Sequence, residues 1–533
     1  MIKRKINREL FKRYSREGNS ELQSIILSNR TDKYIRNFTN PRIKDVQKPK
    51  ELETENNDLK KAVNEIRNCL DNNKKIALFT DYDVDGCTSM ALFYKVFKEN
   101  LNYDNIVFIP SNRFEGYGIT EQAVERINKE NPDLVITADL GITENKAIEN
   151  IKSKVIVTDH HIPPKEKSNA FAVLNPYLSK YSNNICGCAV AWLLMTQVLE
   201  NKKDRMIKHL DYVALATIAD MVPMIDINNR YFVNSGINLI NKKEKICWRV
   251  FGGKIDEGYF GFSLGPKINS CSRMNGWNKD AVKYLISNDY NDCQIYNDSL
   301  DESNEERKEF QKKLFDEIKG KSDVVVHYSN NNWNGIQGLA AGKISNEFNA
   351  VSLIMSGKDD IISGSARSND RIHLKDCFDV FNDKYNLLYK YGGHSAAIGF
   401  SIKKENLNQF IELIEPFIKE RIKEKELYYD LEMDYPNYDT LEQISYLKPF
   451  GIKFEKPLFL GNFKLKEFKQ IGKTKEHCSL ILNGLKAVYF FSVNDHEYLK
   501  EKVNEKINVL YEIDENYFRG KTTMQLMVKE IVK

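Results

Sequence analysis

The sequence predicts an α/β protein with a parallel-sheet domain, a smaller α/β domain joined to it by a long helix, and a small C-terminal β-barrel. Three observations predict it. Apolar runs at Ile76 to Thr80, Ile106 to Pro110, Leu134 to Asp139, Val155 to Asp159 and Phe171 to Asn175 alternate with helix-patterned stretches, the signature of strands in one parallel sheet with helices on both faces. A charged stretch, Asn297 to Ile318, has only Leu300, Phe310, Leu314 and Ile318 as sparse apolar positions, and reads as a connecting helix. Beyond Pro457, five short alternating runs (Phe463 to Phe468, Cys478 to Leu482, Ala487 to Phe491, Ile507 to Ile513 and Thr523 to Glu530) fit a small barrel.

Taken in order, residues 1–50 hold 14 Lys and Arg against 5 Asp and Glu, a basic surplus suited to a polyanionic partner. Asn40-Pro41 breaks the helical pattern, and Leu59 to Leu70 reads as an amphipathic helix. Gly187 to Leu199 and Ile207 to Asp220 read as helices that close the first domain. A second strand and helix set follows the connector: Val324 to Tyr328, a helix start at Gly335 to Lys343, Val351 to Met355 and Asp360 to Ser365. The expected boundaries are a basic segment 1–72, a catalytic domain 73–290, the connector 291–322, a substrate-binding domain 323–425, a linker 426–456 and the barrel 457–533.

At 533 residues the chain exceeds one ordinary domain, and 41% apolar with 29% charged content describes a globular rather than a disordered protein. Nine cysteines without a C-x-x-C pair argue against a zinc ribbon or a disulfide framework and for reduced thiols. The Met-Ile-Lys-Arg start lacks an apolar signal core. The longest mainly apolar run, Cys186 to Leu199, is shorter than the ~20 residues that span a bilayer. A cytoplasmic chain without membrane insertion is expected.

The chemistry concentrates where apolar runs end. Asp81-Tyr-Asp83-Val-Asp85-Gly86 follows the first strand, and strand alternation would aim its carboxylates at one point. Such an arrangement needs cations. A calcium loop of this start would carry Glu at its twelfth position, where this chain has Leu92. Leu134 to Ala138 runs into Asp139, Val155 to Thr158 into Asp159-His160-His161, and the helix Leu210 to Ala219 into Asp220. Each motif alone could be a capped turn, but together they make a carboxylate and imidazole set suited to manganese or magnesium.

In order and spacing, these motifs, with Ala138-Asp139-Leu-Gly141 and Thr217-Ile-Ala-Asp220-Met-Val-Pro223, resemble those of the DHH phosphoesterase superfamily. Arg113-Phe-Glu-Gly-Tyr-Gly118, Leu264-Gly-Pro-Lys-Ile-Asn269 with Arg273, Gly364-Ser-Ala-Arg367 and Gly392-Gly-His394 narrow the resemblance to its RecJ-like single-strand-specific exonucleases. It covers about Phe38 to Pro457. The resemblance implies a DHH domain, a DHH-associated domain and an OB-type barrel. It further implies two divalent cations, Mn2+ preferred and Mg2+ the alternative, with Asp139 as the bridge. Asp83 with Asp81 would complete one metal and Asp85, His160 and Asp220 the other. His161 would face the phosphate, and Asp159 would orient a histidine. Arg113, Arg273, Ser365, Arg367, Gly392, Gly393 and His394 would grip the strand. Trp333 stands where relatives often have His, and Cys188 and Ser272 where smaller residues are common.

The implied activity is 5′ to 3′ hydrolysis of single-stranded DNA to 5′-mononucleotides in repair and recombination. A monomer is expected, served by a single-strand-binding protein or a helicase. Two alternatives stand beside it: a phosphodiesterase for short oligonucleotides or cyclic dinucleotides, and an inactive DNA-binding scaffold.

Overall fold

The computed structural model describes residues 1–30, 37–318, 322–333, 335–424, 426–472, 475–518 and 521–533, without the side chains of 201–203, 517–518 and 521. The expected domain edges near 322 and 425 thus adjoin residues outside the described set. Two compact units emerge. The larger comprises Lys3–Glu302, Tyr429–Phe490 and Asn494–Lys533, and the smaller Met1–Ile2, Ser303–Tyr428 and Phe491–Val493.

In the larger unit, helices α1 (Arg8–Arg16), α2 (Glu21–Arg30) and α3 (Asp58–Asp71) lead into five parallel strands. These are β1 (Ile76–Thr80), β2 (Ile106–Ile109), β3 (Leu134–Ala138), β4 (Lys154–Thr158) and β5 (Ala172–Leu174), in the order β2-β1-β3-β4-β5. Strands β1 and β3 are wholly buried, which is why they read as unbroken apolar runs. Helices α4 (Val84–Lys95), α5 (Gly187–Val198), α6 (Leu210–Ala219) and α7 (Ile227–Lys242) follow. Helices α4 to α6 present almost no solvent face, and with α3 they cover one side of the sheet in a continuous core.

The barrel pairs β11 (Phe459–Ile471), β12 (His477–Leu482), β13 (Leu485–Tyr489), β15 (Lys521–Val532) and β14 (Lys506–Phe518) in sequence, and β11 also pairs β14, so the strands run round a ring. Its join between β13 and β15 is short, three parallel pairs from Ala487 to Tyr489.

Two expected boundaries are corrected here. The basic segment 1–72 is not a module of its own. Leu10, Tyr14, Leu22, Ile26 and Leu27 of α1 and α2 belong to the same core as Phe459, Leu480, Val509 and Leu526 of the barrel, while α3 packs on the parallel sheet. Nor is 426–456 a linker, because Leu441, Ile444, Leu447, Phe450 and Phe454 are buried in that same core. Apolar burial of roughly 1.5–3 kcal/mol per large side chain outweighs the local polarity that made both stretches look peripheral. Part of the basic surplus is also structural: Arg30, almost fully buried, pairs with Asp430 through both its terminal nitrogens.

The connector is one helix, α9 if the 11-residue helix Gly265–Asn275 is α8, and it runs Tyr290–Glu317, beginning seven residues before the charge pattern suggested. In the smaller unit, β6 (Val324–Ser329), β7 (Val351–Ser356), β8 (Ile361–Arg367), β9 (Leu388–Gly393) and β10 (Ala397–Lys403) form a mixed sheet, order β9-β10-β8-β7-β6. Only β6 and β7 are parallel. Among the described residues, no helix is long and apolar enough to cross a membrane.

Candidate metal centre

Strand β1 ends at Thr80, and the acids beyond it are not set by strand alternation, which corrects the expectation from spacing. Asp81 keeps register for one more residue, its N–H donating to the Ala138 carbonyl (3.2 Å). Asp83 is the N-cap of α4 and accepts the Gly86 N–H at 3.1 Å, satisfying a donor that a helix start leaves unpaired. Asp85 falls in the first helical turn. The convergence therefore comes from a strand, a turn and a helix, in which a Cβ on Gly86 would sit 2.1 Å from the Asp81 carbonyl oxygen.

Asp85 is held from 102 residues away. Its two oxygens accept the N–H groups of Gly187 and Cys188, each at 2.6 Å, at the start of α5, where the helix dipole favours an anion. Cys188 contributes its amide, and its thiol is buried. Asp139 follows β3 in a left-handed conformation (φ 63°), rare outside glycine. Its Cβ lies so near Gly187 that a side chain there would approach to 2.8 Å. Asp220 caps the carboxyl end of α6.

His160 is the centre of the group. Its Nε2 lies 3.2 Å from Asp139 Oδ1, 3.6 Å from Asp220 Oδ2 and 3.9 Å from Asp85 Oδ2, yet it is buried without a hydrogen-bond partner. The ring also hydrogen-bonds the Ile185 backbone. Burial, then the neighbouring His161, push its pKa down to about 4 against the pull of Asp159 and Asp83, so the ring is neutral at neutral pH. A buried nitrogen of a neutral imidazole, facing three carboxylates without a hydrogen-bond partner, fits a cation.

The carboxylates agree. Burial first, and repulsion by neighbouring carboxylates second (Asp83 on Asp81 and Asp85, Asp85 on Asp139 and Asp220), raise Asp81, Asp85, Asp139 and Asp220 above the usual carboxylate range. Donor atoms of Asp85, His160 and Asp220 lie within 4.8 Å of one another, as do those of Asp81, Asp83 and Asp139, and of Asp139, His160 and His161. Asp139 thus stands between two sets, and oxygen with imidazole donors suits a hard divalent cation.

Asp159 is used up by the protein. Its Oδ1 accepts the N–H groups of His160 (2.7 Å) and His161 (3.1 Å) and faces His161 Nδ1 at 2.8 Å; its Oδ2 accepts the Ile142 N–H at 3.0 Å. Despite burial, these bonds hold its carboxyl below the usual range. Burial opposes charging of His161, but the Asp159 bond and surrounding carboxylates push it up to about 9. Arg113 stacks its guanidinium 4.1 Å from the Tyr82 ring centre and donates Nε–H to Ser272 Oγ at 3.3 Å. Its charge reaches Asp81, and that of Arg273 reaches Tyr82.

In the smaller unit, Arg367 donates to Ser365 Oγ at 2.9 Å. Ser365 and Gly392 both pair with Gly399 across β10, and neither Gly392 nor Gly399 has an atom within 4 Å of where a Cβ would stand. That is an open, side-chain-free row beside a hydroxyl and a guanidinium. Gly393 (φ 143°) approaches the Ala397 carbonyl where a Cβ would clash, and exposed His394 bonds the same carbonyl through its N–H. Trp333 is a buried core residue. Its indole N–H donates to Ser329 Oγ at 2.9 Å and its ring meets Phe310 edge-on, so it offers nothing to a phosphate.

Spacing missed four contributors. Tyr117 places Oη 3.3 Å from His161 Nε2; its motif was visible, its role was not. Asn278 donates to the Asp81 carbonyl at 3.3 Å and Asn175 to the His161 carbonyl at 2.9 Å. Gly187, before an apolar helix, was the one readable signal.

A carboxylate and imidazole cluster at the carboxyl edge of a parallel sheet, with donors for shared divalent cations, defines the class: a metal-dependent phosphoester hydrolase. Residues 75–217 match the DHH family N-terminal domain, 321–420 the DHHA1 domain and 429–530 the RecJ OB domain. The single-stranded-DNA-specific exonucleases RecJ of Haemophilus influenzae and Escherichia coli are each 27% identical over 89% of this chain and 90% of their own. The crystal structure of RecJ with Mn2+ from Thermus thermophilus shares the fold at TM-score 0.79 and 22% identity, covering 98% of this chain and 78% of that one. A manganese-bound exonuclease RecJ is 25% identical at TM-score 0.57, covering 68% of this chain and 94% of its own. The chain belongs to the DHH phosphoesterase superfamily, in its RecJ-like branch.

Proposed function

We propose that the protein is a single-stranded-DNA-specific exonuclease that works 5′ to 3′ and releases 5′-mononucleotides in DNA repair and recombination. The observation that carries this reading is the unpartnered Nε2 of His160 among Asp85, Asp139 and Asp220. Asp85, His160 and Asp220 would hold one cation and Asp81 with Asp83 another, Asp139 serving both. Manganese is the preferred ion and magnesium the alternative. When bound, such ions supply Lewis acidity and charge neutralisation to a phosphodiester. The chain's own groups do the rest. Asp159 fixes the His161 ring through Nδ1 and holds it protonated, so that Nε2–H can donate to a phosphoryl oxygen or a departing one. Arg113 and Arg273 would hold the strand beside the carboxylates, and Ser365, Arg367, Gly392, Gly393 and His394 its terminal phosphate.

The RecJ OB domain supports a polymer over a dinucleotide, because a barrel of this kind serves as a platform for several nucleotides. The site's full ligand set opposes an inactive scaffold. The same reading places a monomer in the cytoplasm, with a single-strand-binding protein or helicase delivering the strand. The test is a product ladder from end-labelled single strands with manganese. A 5′-phosphorylated strand should fall to mononucleotides from its 5′ end and a blunt duplex should resist. Digestion from a free 3′ end with the 5′ end blocked would overturn the polarity, and hydrolysis confined to dinucleotides would hand the site to the small-substrate reading.

A further inference from the structure

The carboxyl edge of the parallel sheet exposes apolar side chains beside its charged cluster. Phe114 and Tyr117 follow β2, Ile162 follows His161, and Met221 follows Asp220, each more than half exposed. Ile162 lies two residues after His160 and Met221 one after Asp220, and the side chains of His160 and Asp220 meet at 3.6 Å. Ile162 and Met221 therefore both leave from the edge of the carboxylate and imidazole cluster.

Neither is exposed through looseness. Met221 sits at φ 56° just past the end of α6, its N–H bonded to the Ile218 carbonyl at 3.2 Å. Val222 and Met224, on either side of Pro223, are buried. A methionine in the left-handed region is uncommon and mildly strained, so the turn spends conformational energy to point this one side chain outward. Ile162 starts from a carbonyl pinned by Asn175 (2.9 Å) and is 60% exposed.

We infer that Ile162 and Met221 form an apolar wedge that grips the nucleobase next to the scissile phosphate. This rests on the exonuclease reading above. A phosphodiester seated between the carboxylates and His161 brings its own sugar and base alongside these two residues. The base is the part of that substrate with an apolar face, and isoleucine and methionine are residue types that unstack base steps. A base in a duplex is held in its stack by its pairing partner, so a wedge that must part a base from its neighbour also favours single strands.

The test compares 5′-phosphorylated single strands that are intact with strands abasic at their first three nucleotides, using the full-length wild type, Ile162→Ser and Met221→Asn, since asparagine accepts the left-handed backbone. The wild type should lose on the order of tenfold in kcat/KM on the abasic strand, the scale of one base contact. Each variant should lose severalfold on the intact strand and nearly nothing more on the abasic one, with its manganese dependence unchanged. Equal wild-type rates on the two strands, or variants that lose the same factor on both, would overturn the wedge alone. If the wild type hydrolyses neither strand, the exonuclease reading falls and the wedge with it.

Discussion

Two sites of buried charge in the larger unit are treated in opposite ways. Arg230 on α7 is fully buried, and its guanidinium donates to the carbonyls of Phe38 (2.6 Å), Leu447 (2.7 Å), Lys448 (2.9 Å) and Pro449 (3.0 Å) between the rings of Phe38 and Phe454. Burial pulls its pKa down to about 9, leaving it charged at neutral pH. It binds three distant segments into one core and has its own polar groups satisfied by the fold. At the sheet edge, by contrast, Asp81, Asp85 and Asp139 are buried and the partly exposed Asp220 joins them, with an unpartnered imidazole nitrogen among the four. Charge that a fold satisfies itself is architecture, and charge that it leaves unsatisfied marks where something else must bind.

The largest effect should come from Asp139→Asn. Cleavage should fall on the order of 10³-fold or more, as a charge lost from a preorganised site implies, while single-strand affinity largely survives. The sharper readout is thermal. Metal-free Asp139→Asn should melt at or above wild type, because a mutually repelling carboxylate is gone. Wild type should gain stability on adding manganese by ligand linkage, and the variant should gain far less. Parallel melting curves with chelator and with manganese check this, and an equal metal-induced shift in both proteins would remove Asp139 from the centre.

Arg230→Met inverts the experiment. Four buried carbonyls lose their donor, a loss on the scale of breaking a buried pair, about 3–5 kcal/mol. The activity of each folded molecule should not change, because Arg230 touches no group of the metal centre. Urea unfolding with active-site titration separates the two. A variant of normal stability but reduced turnover would show that the staple serves the site directly.

The same contrast explains what could be read from the sequence. Asp139, His160 and Asp220 of the candidate centre each stand at or just past the end of an apolar run, and so were legible by type and place. What brings them together was not. Asp85 is set by two amides 102 and 103 residues away, and amides carry no residue identity. Arg230 has partners that are carbonyls as far as 192 and 219 residues away, which no local pattern shows. The segment 1–72 looked like a basic module of its own in part because composition registers Arg30 but not its burial against Asp430.

His209 offers a smaller, third case, a group that escapes the problem by staying neutral. It is fully buried, with Nε2 bonded to Asn100 Oδ1 at 2.9 Å and Nδ1 without a partner. Burial above all, then Lys245, Lys208 and Lys95, hold its pKa well below the ordinary value. A depressed folded pKa means the unfolded chain takes up the proton first. The neutral imidazole therefore contributes its full stability above the ordinary pKa of ~6.5, and stability is lost as pH falls below it, by about 1.4 kcal/mol per pH unit until the folded group itself titrates. His209→Gln keeps an N–H for Asn100 and removes the titration. Its stability should fall less steeply than that of wild type between pH 6.5 and 5, measured as the difference between the two unfolding free energies with manganese constant. Parallel slopes would mean that His209 finds a proton partner in the fold, and would move it to the side of Arg230.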